Sequence, residues 1–372
     1  MKILFVIGSL SGGGAERVLC MLANELTKRR YEVYIATNTE APIAYQFCKD
    51  IEFKNLYPKE RKKYDRIPLF SKLYKTLTLF NKIRKTAKQI QPDVVIPFMT
   101  EMNLYVIISL IGTHLKIIAS EHNTIDLERK ANSLLKVITR HFAYRFADTV
   151  TVLTEVDKKS ISTYLNNNIV VMQNPLSFEP LKIEDFLETD VVRKNILACG
   201  NISRYYHKGF DNLIIAFSKI AKSCPNWTLD IAGGGDQESF AYLKELAKNN
   251  GVENQVHFLG FCENINVVMK EHKIFVLSSR YEGFGMVLAE AMAMGCACIS
   301  FDCIAGPGEI IQDETDGILV EDQNLDELAD KMLLLINNDD KRKELAKNAI
   351  SSIKKFDINE IADKWCNLIN SI

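Results

Sequence analysis

The stretch Ser279-Arg-Tyr-Glu-Gly-Phe-Gly-Met-Val-Leu-Ala-Glu-Ala-Met-Ala-Met-Gly295 sets one acid, Glu282, beside two glycines and a second, Glu290, inside an otherwise apolar run. Just before it, Ile274 to Leu277 reads as a short strand that ends at Ser278-Ser279. Gly283 and Gly285 punctuate a turn, and Met286 to Met294 reads as a helix. Glu290 is the only charge in that helix, which is apolar on all sides and so expects burial, and a buried carboxylate needs a partner. The partner is either an Arg or Lys of a neighbouring element or a ligand. The ligand reading starts at the helix N-terminus, whose amides and dipole attract an anion such as phosphate. Glu290 lies one turn further along, roughly 6 Å at 1.5 Å per residue. That is about the reach from a phosphate to the ribose of the same nucleotide, whose two hydroxyls can both donate to one carboxylate. Glu282, at the mouth of the turn, would then face a hydroxyl-rich group hanging from the distal phosphate.

Outward from this stretch, short aliphatic runs alternate with amphipathic ones. Strands are expected at Ile3 to Ile7, Glu32 to Thr37, Val94 to Pro97, Lys116 to Ser120, Thr149 to Leu153 and Ile169 to Met172, with a helix from about Gly14 to Arg29. Gln173-Asn-Pro-Leu-Ser-Phe-Glu-Pro180, with two prolines and no periodicity, reads as a linker. The pattern then restarts with strands at Asn195 to Cys199, Trp227 to Ala232, Val256 to Leu259, Ile274 to Leu277 and Cys298 to Phe301. Such alternation implies an α/β chain with two doubly wound parallel sheets, whose ligands collect at the C-terminal ends of the strands. The expected division is 1–175 for a first domain, 176–193 for a linker and 194–355 for a second. The tail 356–372 is helical by pattern, with no placement.

A chain of 372 residues is long for one hydrophobic core, and 47% hydrophobic with 25% charged residues is ordinary for a globular protein, so disorder is excluded. The net charge of −1 hides an asymmetry. Residues 1–180 hold 26 Lys and Arg against 17 Asp and Glu, net +9, whereas the remainder holds 20 against 30, net −10. Two units with different partners are implied. Nine cysteines without a C-x-x-C pair read as reduced thiols, the opening Met-Lys-Ile-Leu-Phe-Val-Ile-Gly reads as a first strand rather than a signal peptide, and no apolar run approaches the ~20 residues of a membrane span. A cytoplasmic protein, peripheral on a membrane at most, is the expectation.

The Glu-x7-Glu spacing within Glu-Gly-Phe-Gly-Met-Val-Leu-Ala-Glu-Ala-Met-Ala-Met-Gly resembles the donor motif of retaining GT-B glycosyltransferases, the group 1 or family 4 type, and the resemblance extends over most of the chain. It implies two Rossmann-like domains facing across a cleft, with Glu282 on the transferred sugar and Glu290 on the ribose of a nucleoside diphosphate sugar. The turn residues Gly283, Phe284, Gly285, Met286 and Val287 would line the donor site. In Gly200-Asn-Ile-Ser-Arg-Tyr-Tyr-His-Lys-Gly-Phe210, Arg204 and Lys208 resemble the family's basic pair on the donor pyrophosphate. Fixed cations there stabilise the charge that grows on the leaving phosphate. Read without the resemblance, they are either such a clamp or solvated loop charges.

Gly8-Ser-Leu-Ser-Gly-Gly-Gly-Ala-Glu-Arg-Val18 lacks the G-x-G-x-x-G spacing and is either a plain strand-to-helix turn or, through Gly13 and Gly14, similar to the family's Gly-Gly-Ala-Glu-Arg loop. His122, in Ala-Ser-Glu-His-Asn, is either structural or the counterpart of the family's pocket histidine near the donor sugar. Weaker matches are Gly233 in Ile231-Ala-Gly-Gly-Gly-Asp236, Phe261 as a flank of the base, and Gly306-Pro-Gly-Glu309 near the phosphates. The chain departs from the common pattern at His272-Lys273, where many relatives carry Ala-Asp, and at Gly295-Cys-Ala, where they carry Gly-x-Pro. No Asp-x-Asp and no metal-ligand histidine spacing occur, so neither a metal nor another cofactor is implied, and the Arg/Lys pair can neutralise the phosphates.

The segment Lys54 to Lys88 holds twelve Lys and Arg against Glu60 and Asp65, interleaved with apolar residues. It reads as a contact to an anionic membrane surface, as a cradle for an acceptor pyrophosphate, or as a solvated helical face. Nucleic acid is not expected, since no recognition module is present. The resemblance points to bacterial enzymes that extend polyprenyl-pyrophosphate-linked glycans or surface polysaccharides. The expected activity is transfer, with retention, of a hexose or N-acetylhexosamine from a nucleotide sugar, UDP-linked first, to such an acceptor. A sugar-nucleotide 2-epimerase of the same architecture and a catalytically silent nucleotide-sugar-binding partner are the rival readings.

Overall fold

In a computed structural model that describes residues 1–57, 68–124, 134–188 and 194–372, the chain divides into two units, Met1–Ser177 with Ile358–Ile372, and Phe178–Asp357. The first is built on a parallel sheet of β1 (Lys2–Ile7), β2 (Glu32–Thr37), β3 (Glu52–Asn55), β4 (Val94–Pro97), β5 (Lys116–Ser120), β6 (Thr149–Val152) and β7 (Asn168–Val171), in the order β3-β2-β1-β4-β5-β6-β7. The second is built on β8 (Asn195–Cys199), β9 (Thr228–Ala232), β10 (Val256–Gly260), β11 (Ile274–Leu277), β12 (Ala297–Phe301) and β13 (Ile318–Val320), in the order β10-β9-β8-β11-β12-β13. β1 and β8 are apolar without alternation because a central parallel strand is covered on both faces, and Ile3 to Ile7 and Ile196 to Ala198 are accordingly buried.

Each sheet reverses its strand order once, between β1 and β4 in the first unit and between β8 and β11 in the second. With right-handed crossovers, the reversal sends the connecting helices to opposite faces and opens a crevice at the carboxyl ends of those two strands. In the first unit the helices Pro68–Ile90, Thr100–Leu110 and Leu134–His141 form one layer, while Gly14–Lys28 packs with the tail helix Ile358–Asn370.

The expected strands are present within one residue of their predicted ends. β3 and β13 escaped prediction because each is short, and β3 is largely exposed and polar. The expected linker 176–193 differs more: Phe178 onward belongs to the second unit, and Ile183–Glu188 is helical. There the Leu181 amide donates to the Ala293 carbonyl at 2.8 Å, and Phe186 lies against Gly295. The tail is helical as expected and returns to the first unit, where Arg29 bonds the Asn359 carbonyl (3.0 Å) and pairs with Asp363. Part of the basic segment, 58–67, and the end of the expected linker, 189–193, lie outside the described residues.

All nine cysteines are free thiols, and burial pushes those of Cys296 and Cys303 up to about 12. His272 is buried with its Nε2 3.0 Å from Asp230, which also meets His257 at 3.0 Å. Burial pushes the Asp230 carboxyl up, but the bonds from His272 and His257 outweigh it and hold the group below its ordinary range.

Candidate active site

Two loops leave the reversal point of the second sheet. One follows β8 and runs from Gly200 to Lys208; the other follows β11 and runs from Ser278 to Gly285. Because β8 and β11 are hydrogen-bonded neighbours, these loops emerge side by side. Lys208 and Glu282, 74 residues apart in sequence, meet there: the Lys208 ammonium donates to Glu282 Oε1 at 2.7 Å, with 17% and 11% of the two side chains exposed. The Ser279 hydroxyl donates to the same oxygen at 2.6 Å.

The loops are stitched together by more than this pair. The Ser278 hydroxyl donates to the Lys208 carbonyl (3.0 Å) and the Arg280 amide to the His207 carbonyl (3.0 Å). Gly209 closes the turn in the left-handed region, φ 65°, and a Cβ there would stand 1.8 Å from the Ser278 carbonyl oxygen, so only glycine permits the approach. Arg280 grips Asp211 with both ends of its fork (2.8 and 2.9 Å), bonds the Tyr206 carbonyl, and stacks 3.9 Å over the Tyr206 ring. Arg204 is exposed at the start of the Tyr205–Lys208 turn. Between Arg204 and Lys208, His207 is pushed down by burial and then by Arg204, against the pull of Glu282.

Gly285 opens the helix Met286–Ala293 at φ 90° with no side-chain cap, so the first-turn amides of half-exposed Met286 and Val287 are available to an anion. Gly283 is also half-exposed. Phe284 is different: its side chain is buried edge-on against Phe356, ring centroids 5.2 Å apart, so only its backbone can serve a donor site. The 306–309 loop packs on this turn, with Gly306 against the Phe284 carbonyl. Glu290 is buried one turn into the helix, close enough to Cys199 at the end of β8 for its charge, after burial and Cys296, to help raise that thiol. Gly200 packs on the Lys208 stem, and the Gly233 amide bonds the Gly260 carbonyl at 2.8 Å. Phe261 stands beside Gly234 with 81% of its surface exposed, as a free-standing aromatic face.

In the first unit Gly13, Gly14 and His122 lie at carboxyl ends of β1 and β5. The Gly13 amide is already taken by Glu16 Oε2 (3.0 Å), which also receives Gly12 (2.7 Å), and the Gly13 carbonyl accepts from Tyr45 (2.7 Å). Burial pushes the Glu16 carboxyl up, but these bonds and the Ser9 hydroxyl prevail and hold it low. Gly14 faces open space. His122 stacks on Phe98 at 4.5 Å, and its Nε2 is 3.1 Å from the Ser120 hydroxyl. Its Nδ1 is shut away from water with no hydrogen bond among the described residues, and burial, against a weaker pull from Asn174, brings the imidazole down to about 4.

Glycosyl transferases group 1 is the family model matched by residues 182–352, and Glycosyltransferase Family 4 the one matched by residues 12–179. Over its whole length the chain is 30% identical to 99% of a Campylobacter jejuni protein, GalNAc-alpha-(1->4)-GalNAc-alpha-(1->3)-diNAcBac-PP-undecaprenol alpha-1,4-N-acetyl-D-galactosaminyltransferase. The chain belongs to this glycosyltransferase family. It is also 29% identical, over 99% of each chain, to the Erwinia amylovora amylovoran biosynthesis glycosyltransferase AmsD. The fold is that of the Anabaena protein HepE, solved in complex with UDP, with a TM-score of 0.79, 20% identity and full coverage of both chains. The glycosyltransferase is therefore of GT-B architecture, two doubly wound parallel-sheet units.

Sequence reasoning passed over Ser279, His207 and the Arg280–Asp211–Tyr206 clamp. Arg280 and Ser279 stand inside the quoted stretch, but nothing local tells which distant groups they meet.

Proposed function

We propose that this glycosyltransferase moves an N-acetylhexosamine or hexose from a UDP-sugar to a polyprenyl-pyrophosphate-linked glycan, with retention, on the cytoplasmic face of a membrane. The observation that carries the reading is the Lys208–Glu282 pair at the mouth of the glycine-capped helix. Lys208 and Arg204 receive the pyrophosphate together with the Met286 and Val287 amides, Glu282 faces the sugar hydroxyls, and Glu290 takes the ribose. His122, kept neutral by burial, is a hydrogen-bonding group of the first unit rather than a charge. Phe261 flanks the base. No group here serves as a covalent nucleophile in this reading. The acceptor oxygen attacks the anomeric carbon from the face that the UDP leaves, the bond to phosphate oxygen breaks, and the departing phosphate takes the acceptor proton. Fixed cations favour this step because they gain most when that charge is fully developed, and no metal is called upon. Support for the lipid-linked acceptor comes from the Campylobacter relative's name, and for UDP from the nucleotide bound to HepE.

The test is a panel of UDP- and GDP-sugars scored by thermal stabilisation, followed by transfer to an undecaprenyl-pyrophosphate-linked acceptor and assignment of the new anomeric centre. An α-linked product from an α-UDP-sugar is expected. An inverted product contradicts the mechanism. Inversion at C2 without acceptor makes the protein an epimerase, and donor binding without turnover makes it a silent binder.

A further inference from the structure

The first unit carries a helix with its polarity reversed. In Leu134–His141 and the turn that follows, the polar Thr139, Arg140 and Tyr144 face inward, where Tyr144 and Arg140 meet the buried carboxylate of Glu121 and Thr139 bonds the Leu135 carbonyl at 2.7 Å. The residues turned outward are Leu135, Val137, Ile138, Phe142 and Phe146, the two phenylalanines with 65% and 61% of their surface exposed. Leu135, Ile138 and Phe142 recur at α-helical spacing on one side of the helix, and Phe146 adds a further exposed ring at the end of the 3-10 turn Ala143–Phe146. The adjacent helix Thr100–Leu110 adds Ile108, and Ile111 just beyond its end, both exposed. A buried polar face with an apolar outer face is the opposite of what water selects, so the outer face calls for a covering.

The charge in the same layer says what kind. The helices Pro68–Ile90, Thr100–Leu110 and Leu134–His141 hold eight Lys and Arg against one acid, Glu101. Arg84, Lys85 and Lys88 are exposed on the first, and Arg145 stands 5.9 Å from the Phe142 ring. Aromatic and aliphatic side chains rimmed by cations fit the interface of an anionic bilayer, where rings enter the headgroup boundary and cations meet lipid phosphates. We infer that the face bearing Phe142, Phe146 and Ile138 docks the protein on an anionic lipid surface. The apolar stripe supplies insertion, and the basic helix Pro68–Ile90 supplies attraction. The inference gives the proposed lipid-linked acceptor its route to the enzyme, and it rests on that reading for its purpose only.

Full-length protein is mixed with acceptor-free vesicles, either pure phosphatidylcholine or phosphatidylcholine with phosphatidylglycerol, and sedimented. Binding to the mixed vesicles is expected, with much weaker binding to the pure ones. Phe142→Ser with Phe146→Ser should weaken it at least about tenfold, while the melting temperature and UDP binding stay as in the wild type. Phe146→Glu, a single exposed change, provides the same reading should the double variant fail to fold. Binding that persists in these variants overturns the inference, and so does a dimer that both variants dissolve, which would assign the face to a second copy. Protein that sediments with vesicles yet transfers no sugar would contradict the proposed function alone.

Discussion

Replacing Lys208 by Met, Glu282 by Gln, and both together separates the worth of the buried pair from that of each side chain. The charges sit 2.7 Å apart, atom to atom, with only 17% and 11% of their side chains exposed. With about 4 Å between charge centres and an effective dielectric near 20, the attraction is about 4 kcal/mol, and desolvation cancels a large part of it. Lys208→Met leaves the Glu282 carboxylate with the Ser279 hydroxyl in a mostly dry crevice. Cutting a fully buried pair costs about 3–5 kcal/mol, and the remaining exposure of this one lowers the expectation to about 2–3 kcal/mol. For a unit of this size that is a fall of about 5–10 °C in Tm. The double variant should regain about 1–2 kcal/mol relative to the sum of the single changes, because the pair is lost only once when both charges go together. Urea unfolding of the ligand-free protein measures all four corners of the cycle. A coupling below about 0.5 kcal/mol would refute the idea that the pair organises the two loops. In the transfer assay Lys208→Met should lower kcat/KM at least tenfold, or about 1.4 kcal/mol, if Lys208 meets the leaving phosphate as proposed.

Arg280→Lys keeps the charge but loses the fork on Asp211 and the stacking on Tyr206, so it should cost about 1–2 kcal/mol in urea unfolding and raise the donor KM by loosening the turn that carries Lys208. Wild-type values of both would remove Arg280 from the positioning of that turn. His122, depressed to about 4 when folded against about 6.5 when unfolded, leaves the unfolded chain holding the extra proton between those values. Stability should therefore rise with pH across that window, and His122→Asn should flatten the slope there and leave it unchanged above pH ~7. Chemical unfolding at stepped pH reads this directly, and an unaltered slope would show that the imidazole titrates normally.

Much of the fold was legible in the residues themselves. Runs such as Ile3 to Ile7 and Ile274 to Leu277 are apolar without alternation because both faces of a central parallel strand are covered, and that requirement is written locally. The Gly283-Phe-Gly285 turn followed by an apolar helix likewise announced a helix N-terminus with an acid one turn inside. The short strand Ile318–Val320 carries too few residues for any period to show, and Glu52–Asn55 is an exposed polar edge.

What the sequence by itself determined was periodicity and the placing of glycines, since strands, helices and tight turns are chosen by residues within a few positions of one another. Which side chains meet was decided only by assembly of the sheets. Lys208 reaches Glu282 because β8 and β11 became neighbours at the point where strand order reverses. The tail helix rests on Gly14–Lys28 because Arg29 finds Asp363 and the Asn359 carbonyl more than three hundred residues away. His272 is held inside the second unit because a buried Asp230 meets its ring. The helix Leu134–His141 turns its apolar side outward because Glu121, buried at the end of β5, draws Arg140 and Tyr144 inward. A buried carboxylate must be answered by hydrogen bonds and charge, and that requirement overrode the helix's own hydrophobic pattern.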